Sequence, residues 1–254
     1  MLLVPDVDPS SDAVRIATDI APVIDRVRLA IVRHLPATST AIAERTGLPV
    51  AALPTLGMLR NTLPDRVVAV DDVLALFLYQ PPEGVRSAVD ALVSGGALAR
   101  ASDRDVVVTE LGRTVLLDLF RATETFVDQL WAGQDERVAA LLPLADRACA
   151  AVGATGGAAV RVVAPPYDPP GASASLRLAE RLSPLRFHRF DAHAAAWRAE
   201  GLTAEGVQAL GPGPQRDRIE QDTNHRAAAP YEALDPPERR ELLDGLSALP
   251  TELG

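Results

Sequence analysis

From Asp12 to Leu35 apolar residues recur at helical spacing (Val14, Ile16, Ile20, Val23, Val27, Ala30, Ile31), which predicts one or two helices interrupted near Pro22. Thr38-Ser39-Thr40 offers an N-cap for a short helix that carries Ile42, Ala43 and Thr46 and stops at Gly47. A second helix begins after Leu48-Pro49, with Leu48, Leu53 and Leu56 as core positions. Together these make a helix-turn-helix pattern in which the small Ala43 permits close approach and Gly47 the turn. Pro54 falls about one turn into the second helix, where it is expected to kink it, and Gly57 weakens it further.

Downstream, Val67 to Val70 reads as a link and Asp71 to Gln80 as a helix capped by Asp71 or Asp72 and closed by Pro81-Pro82. Another helix follows through Leu92, with Val85, Val89, Leu92 and Val93 on one face, and breaks at Ser94-Gly95-Gly96. Ala97 to Arg100 and Asp105 to Thr109 then read as two strands joined by the polar turn 101–104. Thr109 caps a long helix from Glu110 to about Ala132. Residues 151–172 mix glycines with a proline-rich run, the composition of a linker, and the domain boundary is expected there. Helices are expected over 173–182, 184–200, 203–210, 214–228 and 236–248, each stop marked by Gly or Pro.

The succession of helix, Leu92-Val93-Ser94-Gly95-Gly96-Ala97-Leu98, short charged loop, Val106-Val107-Val108-Thr109-Glu110-Leu111-Gly112-Arg113 and long helix resembles the second half of a MarR-type winged helix, over roughly residues 25–132. The stretches Ala164 to Ala172 and Leu185 to Trp197 are similar to those of a family of uncharacterised actinobacterial helix-turn-helix proteins. The resemblance implies a winged-helix domain with a β-hairpin wing within residues 1–150; with the linker over 151–172 and the helices read over 173–254, the expected fold is mainly α with an all-helical C-terminal domain. It further implies DNA contact through the wing, with Arg60, Arg86, Arg100 and Arg104 as the contacting cations, and a homodimer formed through the long helix. The first functional reading is a transcriptional regulator whose C-terminal helices sense a ligand. A second reading is a winged-helix scaffold used for small-molecule binding or catalysis, and a third is a protein-interaction module.

Charge complicates the DNA expectation. Among 254 residues the net charge is −9, and all 25 cationic residues are arginine. Residues 1–150 hold 14 arginines against 20 acids, which argues against strong nonspecific affinity for phosphate backbones. Asp103 and Asp105 offset Arg100 and Arg104 at the wing, and the helix before it supplies only Arg86. No run approaches the roughly 20 apolar residues of a membrane span, and the N-terminus lacks the basic start and apolar core of a signal peptide. A cytoplasmic protein is therefore expected, in line with the single cysteine, Cys149, in an apolar helix pattern.

Candidate chemistry concentrates in the C-terminal half. At helical spacing Arg186, Arg189, His193 and Trp197 form one stripe, while His188 and Asp191 lie side by side on a neighbouring face. These residues, with Tyr167 and His225, are the candidates for a pocket in which arginines hold a carboxylate or phosphate, aromatic rings form walls and a histidine moves or senses a proton. For an enzyme, the catalytic set is His188, Asp191 and His193. The competing reading is a packing network in which Asp191 orders its basic neighbours and Trp197 fills core. His188 and His193 are about 140° apart around the helix, so no metal site is expected. Neither a dinucleotide loop nor a nucleophile elbow is recognisable, and no cofactor is expected.

Overall fold

A computed structural model describes residues 9–253. Among the described residues the chain is mainly α, with twelve α-helices and one small antiparallel sheet. The first helix, α1 (Pro9–Val32), runs straight through Pro22. The expected interruption does not occur, because one continuous face (Ala13, Ile16, Ala17, Ile20, Ile24, Val27, Ile31) is buried on both sides of the proline. Packing of that stripe outweighs the single hydrogen bond that proline removes.

α2 (Leu35–Thr46) starts upstream of the expected cap, with Pro36 in its first turn, and Thr40 Oγ1 donates back to the Pro36 carbonyl. It ends as expected at Gly47, whose φ of 74° is the left-handed cap. After a 3-10 turn at Val50–Ala52 comes α3 (Leu53–Met58). Pro54 occupies its first turn, where no donor is lost, so the expected kink is absent. The helix is only six residues long and buries Leu53, Thr55 and Leu56.

The chain then forms β1 (Val68–Ala69), α4 (Val70–Ala75), α5 (Pro82–Ser94), β2 (Leu98–Arg100), β3 (Asp105–Val108) and α6 (Glu110–Leu130). The strand order is β1-β3-β2, with Val68 opposite Val106 and Leu98 opposite Val108. Thus the segment expected as a mere link pairs as a third strand. Thr109 caps α6 by accepting from Gly112 N at 3.2 Å, and its hydroxyl donates to the Gly96 carbonyl at 2.6 Å. Gly112 is required there: a Cβ would lie 2.1 Å from Ala97 O.

The remaining helices are α7 (Asp135–Thr155), α8 (Ala158–Val163), α9 (Ala174–Ala199), α10 (Ala204–Ala209), α11 (Pro214–Ala227) and α12 (Pro236–Ser247), with a 3-10 segment at Ala229–Ala233. Residues 151–172, expected as a linker, carry the end of α7 and all of α8, whose Ala159, Val160, Val162 and Val163 are buried. The main hydrophobic cluster runs from α1 through α6, α7 and α9 to α12, across the expected boundary, with a small second cluster around Trp197. α9 was expected as two helices but continues through Pro184, with Leu182, Ser183, Pro184 and Leu185 all buried. It is the central strut, packed against α1, α6, α7, α8 and α11. α7 has the length and mean hydropathy of a membrane span, yet its apolar face (Val138, Leu141, Ala145, Ala148, Val152) is occupied by α9 and α12.

Candidate functional site

The chemistry of α9 is divided between two faces. His188 is 2% exposed and its Nε2 lies 2.7 Å from Thr155 Oγ1 at the end of α7. Burial holds its imidazole down to about 4, so it is neutral near pH 7. Asp191 accepts three backbone N–H groups at the start of α8: Gly157 at 2.8 Å, Val160 at 3.0 Å and Ala159 at 3.2 Å. Burial pushes its carboxyl upward, opposed by these donors. Gly157 leaves room for it, because a Cβ would stand 2.8 Å from Asp191 Cγ. Both residues therefore fasten the α7–α8 junction onto α9, a helix cap supplied from a distant helix.

His193 faces elsewhere. It lines a cavity of about 250 Å³ between α1, α9 and α11, together with Arg186, Arg189, Phe190, Tyr79, Glu220, Thr223 and Tyr231. The expected set His188, Asp191 and His193 is thus not brought together, because the angular offset along α9 sends the first two to α7 and α8. Three members of the expected stripe do converge on the cavity: Arg186, Arg189 and His193.

Each has a defined partner. Arg186 Nε donates to Asp25 at 2.6 Å. Arg189 donates to Asn224 Oδ1 at 2.8 Å and, at 3.5 Å, to the Ala17 carbonyl, both neutral acceptors. Its closest carboxylate, Glu220, stands 3.9 Å away. His193 Nδ1 is 3.1 Å from Thr223 Oγ1, whose own proton is given to the Ile219 carbonyl at 2.7 Å. Thr223 must then accept from Nδ1–H, which leaves Nε2 as the unprotonated nitrogen. Burial lowers the His193 pKa, with Glu220 pulling the other way, so the neutral tautomer prevails near pH 7. Tyr231 is buried, and burial raises its hydroxyl out of reach of ionisation.

The other expected ligand residues lie outside this cavity. Tyr167 packs its ring against Phe120, and its backbone N–H donates to Asn61 Oδ1. Trp197 fills a small second cluster with Ala194, Val207 and Ile219, under Arg198. His225 is exposed on α11, its Nδ1 against the Gln221 carbonyl at 2.8 Å, and it borders a different cavity beside Asp191 and Arg198.

Of the four expected DNA contacts, Arg60 is unavailable. It is 7% exposed, its Nε lies 3.0 Å from the fully buried Glu180, and its guanidinium stacks over Phe120. Glu180 also attracts the buried Arg28, whose pKa burial lowers to about 10. Arg86 pairs with Asp71 and Arg100 with Asp90, both at the surface. Arg104 at the β2–β3 hairpin has no side-chain partner among the described residues. The face α5 shows to solvent carries Glu83, Arg86, Ser87 and Asp90, which is not a cationic surface.

The sequence reading missed Tyr79, Asp25, Glu220 and Thr223. They come from three separated segments, and no spacing rule links them to α9. Among the described residues no three metal-ligating side chains converge. Compared with known proteins, the chain matches no family model, no curated protein and no solved structure.

Proposed function

We propose that this is a small-molecule-binding protein in which a winged-helix-like half serves as scaffold and the α1–α9–α11 cavity holds the ligand. The observation that carries this reading is Arg189: a half-buried guanidinium, fixed in place by neutral acceptors, at the wall of a cavity that is also lined by a neutral histidine and two tyrosines. Convergent polar groups over an apolar lining of Ile24, Leu185 and Phe190 fit orientation-specific recognition of a metabolite. The cavity, at about 250 Å³, is smaller than the roughly 300–1,000 Å³ typical of drug-sized ligands, so a compact occupant fits best. A panel of neutral, cationic and anionic fragments, followed by ligand-observed NMR, tests it. Binding that disappears when Ala21→Leu fills the cavity supports the reading; a panel with no cavity binder at all overturns it.

One observation favours a second reading, a DNA-binding regulator. The β1-β3-β2 order with α4 and α5 ahead of the hairpin is the arrangement a winged helix requires, and Arg104 at the hairpin is uncommitted. In this reading the protein is a homodimer and the cavity is its effector site. A mobility shift on the DNA upstream of its own coding sequence at low salt, lost in Arg104→Ala, supports it. Absence of any shift at micromolar protein, or a monomer by light scattering, counts against it.

A further inference from the structure

We infer that Glu220 is a resident counter-ion for Arg189, and that the ligand is a small monocarboxylate with an apolar body whose carboxylate takes its place; this rests on the α1–α9–α11 cavity being a ligand site. The four charged side chains of that cavity are Arg186, Arg189, Asp25 and Glu220. Asp25 is committed to Arg186 at hydrogen-bond distance, 2.6 Å. Glu220 is not committed: it stands 3.9 Å from Arg189, beyond a hydrogen bond, with its side chain 44% exposed against 26% for Arg189. A carboxylate so placed neutralises the guanidinium without saturating it and is free to swing into water. Arg189 cannot follow, because Asn224 and the Ala17 carbonyl hold its nitrogens.

The charge count sets the ligand's valence. With His193 neutral the four side chains cancel, so removing Glu220 from Arg189 leaves one positive charge to be matched. A monoanion restores the balance. A dianion leaves an uncompensated negative charge against a half-buried wall, which disfavours phosphate and phosphonate. The free lone pair of His193 on Nε2 repels a carboxylate, so the anionic end is directed to Arg189, and the body lies along Ile24, Leu185 and Phe190. A planar carboxylate also matches the paired donors of a guanidinium.

Isothermal titration of the full chain near pH 7 with phenylacetate, phenylacetamide and phenylphosphonate tests this. Phenylacetate is expected to bind at least about tenfold more tightly than the isosteric amide, the scale of one hydrogen bond to a charged group, and more tightly than the phosphonate. Glu220→Gln, an isosteric change at a half-exposed side chain, is expected to tighten phenylacetate several-fold. Arg189→Gln is expected to weaken it about tenfold or more, and Arg189→Lys, which keeps the charge and loses the fork, to weaken it less. If circular dichroism shows that Arg189→Gln misfolds, the Glu220→Gln and Arg189→Lys results decide. Equal affinity for acid and amide, or an unchanged or weaker phenylacetate affinity in Glu220→Gln, overturns the monocarboxylate assignment while leaving a small-molecule site in place. Failure of all three probes also overturns it, whereas failure of the wider neutral and cationic panel as well removes the site itself.

Discussion

Replacing Asp191 by alanine separates a structural carboxylate from a catalytic one. The side chain satisfies three backbone donors at the start of α8, two of them on Oδ2 (Gly157 and Val160) and one on Oδ1 (Ala159). Loss of an ordinary helix cap costs about 0.5–2 kcal/mol, and hydrogen bonds to a charged acceptor contribute about 1.5–3 kcal/mol each. The three bonds share one carboxylate that is partly open to water, and water re-solvates some of the freed donors. The expected cost of Asp191→Ala is therefore about 3 kcal/mol, well short of three independent bonds. For a chain of this length that is a fall in melting temperature of roughly 6–12 °C. Asp191→Asn keeps one acceptor oxygen but turns an amide toward the donors, and is expected to cost about half as much. Gly157→Ala acts on the same contact from the other side, since its Cβ would stand 2.8 Å from Asp191 Cγ. Urea denaturation followed by far-ultraviolet circular dichroism measures all three. A loss below about 0.5 kcal/mol in Asp191→Ala would refute the capping role, since that is the scale of an ordinary surface substitution. So would loss of ligand binding at unchanged stability.

Three further outcomes are expected. His188 has a folded pKa near 4 against 6.5 in the unfolded chain, so between these values the unfolded state binds more protons. Its contribution is complete above about pH 6.5 and is lost as pH falls toward 4, by about 3 kcal/mol; His188→Gln is expected to flatten that part of the stability curve, and an unchanged curve would show that the imidazole is not buried neutral. Arg60→Met leaves the fully buried Glu180 without its nearest partner and is expected to cost about 3 kcal/mol in urea denaturation, whereas a harmless substitution with altered DNA affinity would return Arg60 to the surface. Adding leucine at Glu180 is not expected to restore all of it, because Arg28 stays buried beside the site. Gly112→Ala places a Cβ 2.1 Å from the Ala97 carbonyl and is expected to cost about 3 kcal/mol or more by prying α6 from the hairpin, measured by thermal melting; a wild-type melting temperature would contradict that packing.

How far the candidate site was legible depends on the element. The stripe Arg186–Arg189–His193 was readable because residues three and four apart on a helix share a face wherever that helix is placed. The separation of His188 and Asp191 from it was also implied by angle, but not what each face would meet. Gly157 and Thr155 gave no signal as partners of α9, being more than thirty residues away in the chain. Arg60 shows the opposite failure. An arginine on a short amphipathic helix is read as exposed by default, and only the arrival of Glu180 from α9 makes its burial tolerable.

What the sequence by itself determined is the local grammar: the left-handed stop at Gly47, the Thr109 cap, the paired strands Leu98–Arg100 and Asp105–Val108, and the long α6. These depend on contacts within a few residues, so neighbouring side chains suffice to fix them. Prolines were misread for the same reason inverted. The penalty at Pro22 and Pro184 is local, but the burial that overrides it is supplied by distant helices. Only the tertiary structure decided that the end of α7 and all of α8 pack into the main core where a linker was expected, that His188 and Asp191 are fasteners, and that Arg189 and His193 meet Glu220, Thr223 and Tyr231 around a common cavity. Those outcomes require segments far apart in the chain to share space, and burial and charge neutralisation then select which side chains are paired and which remain free to act.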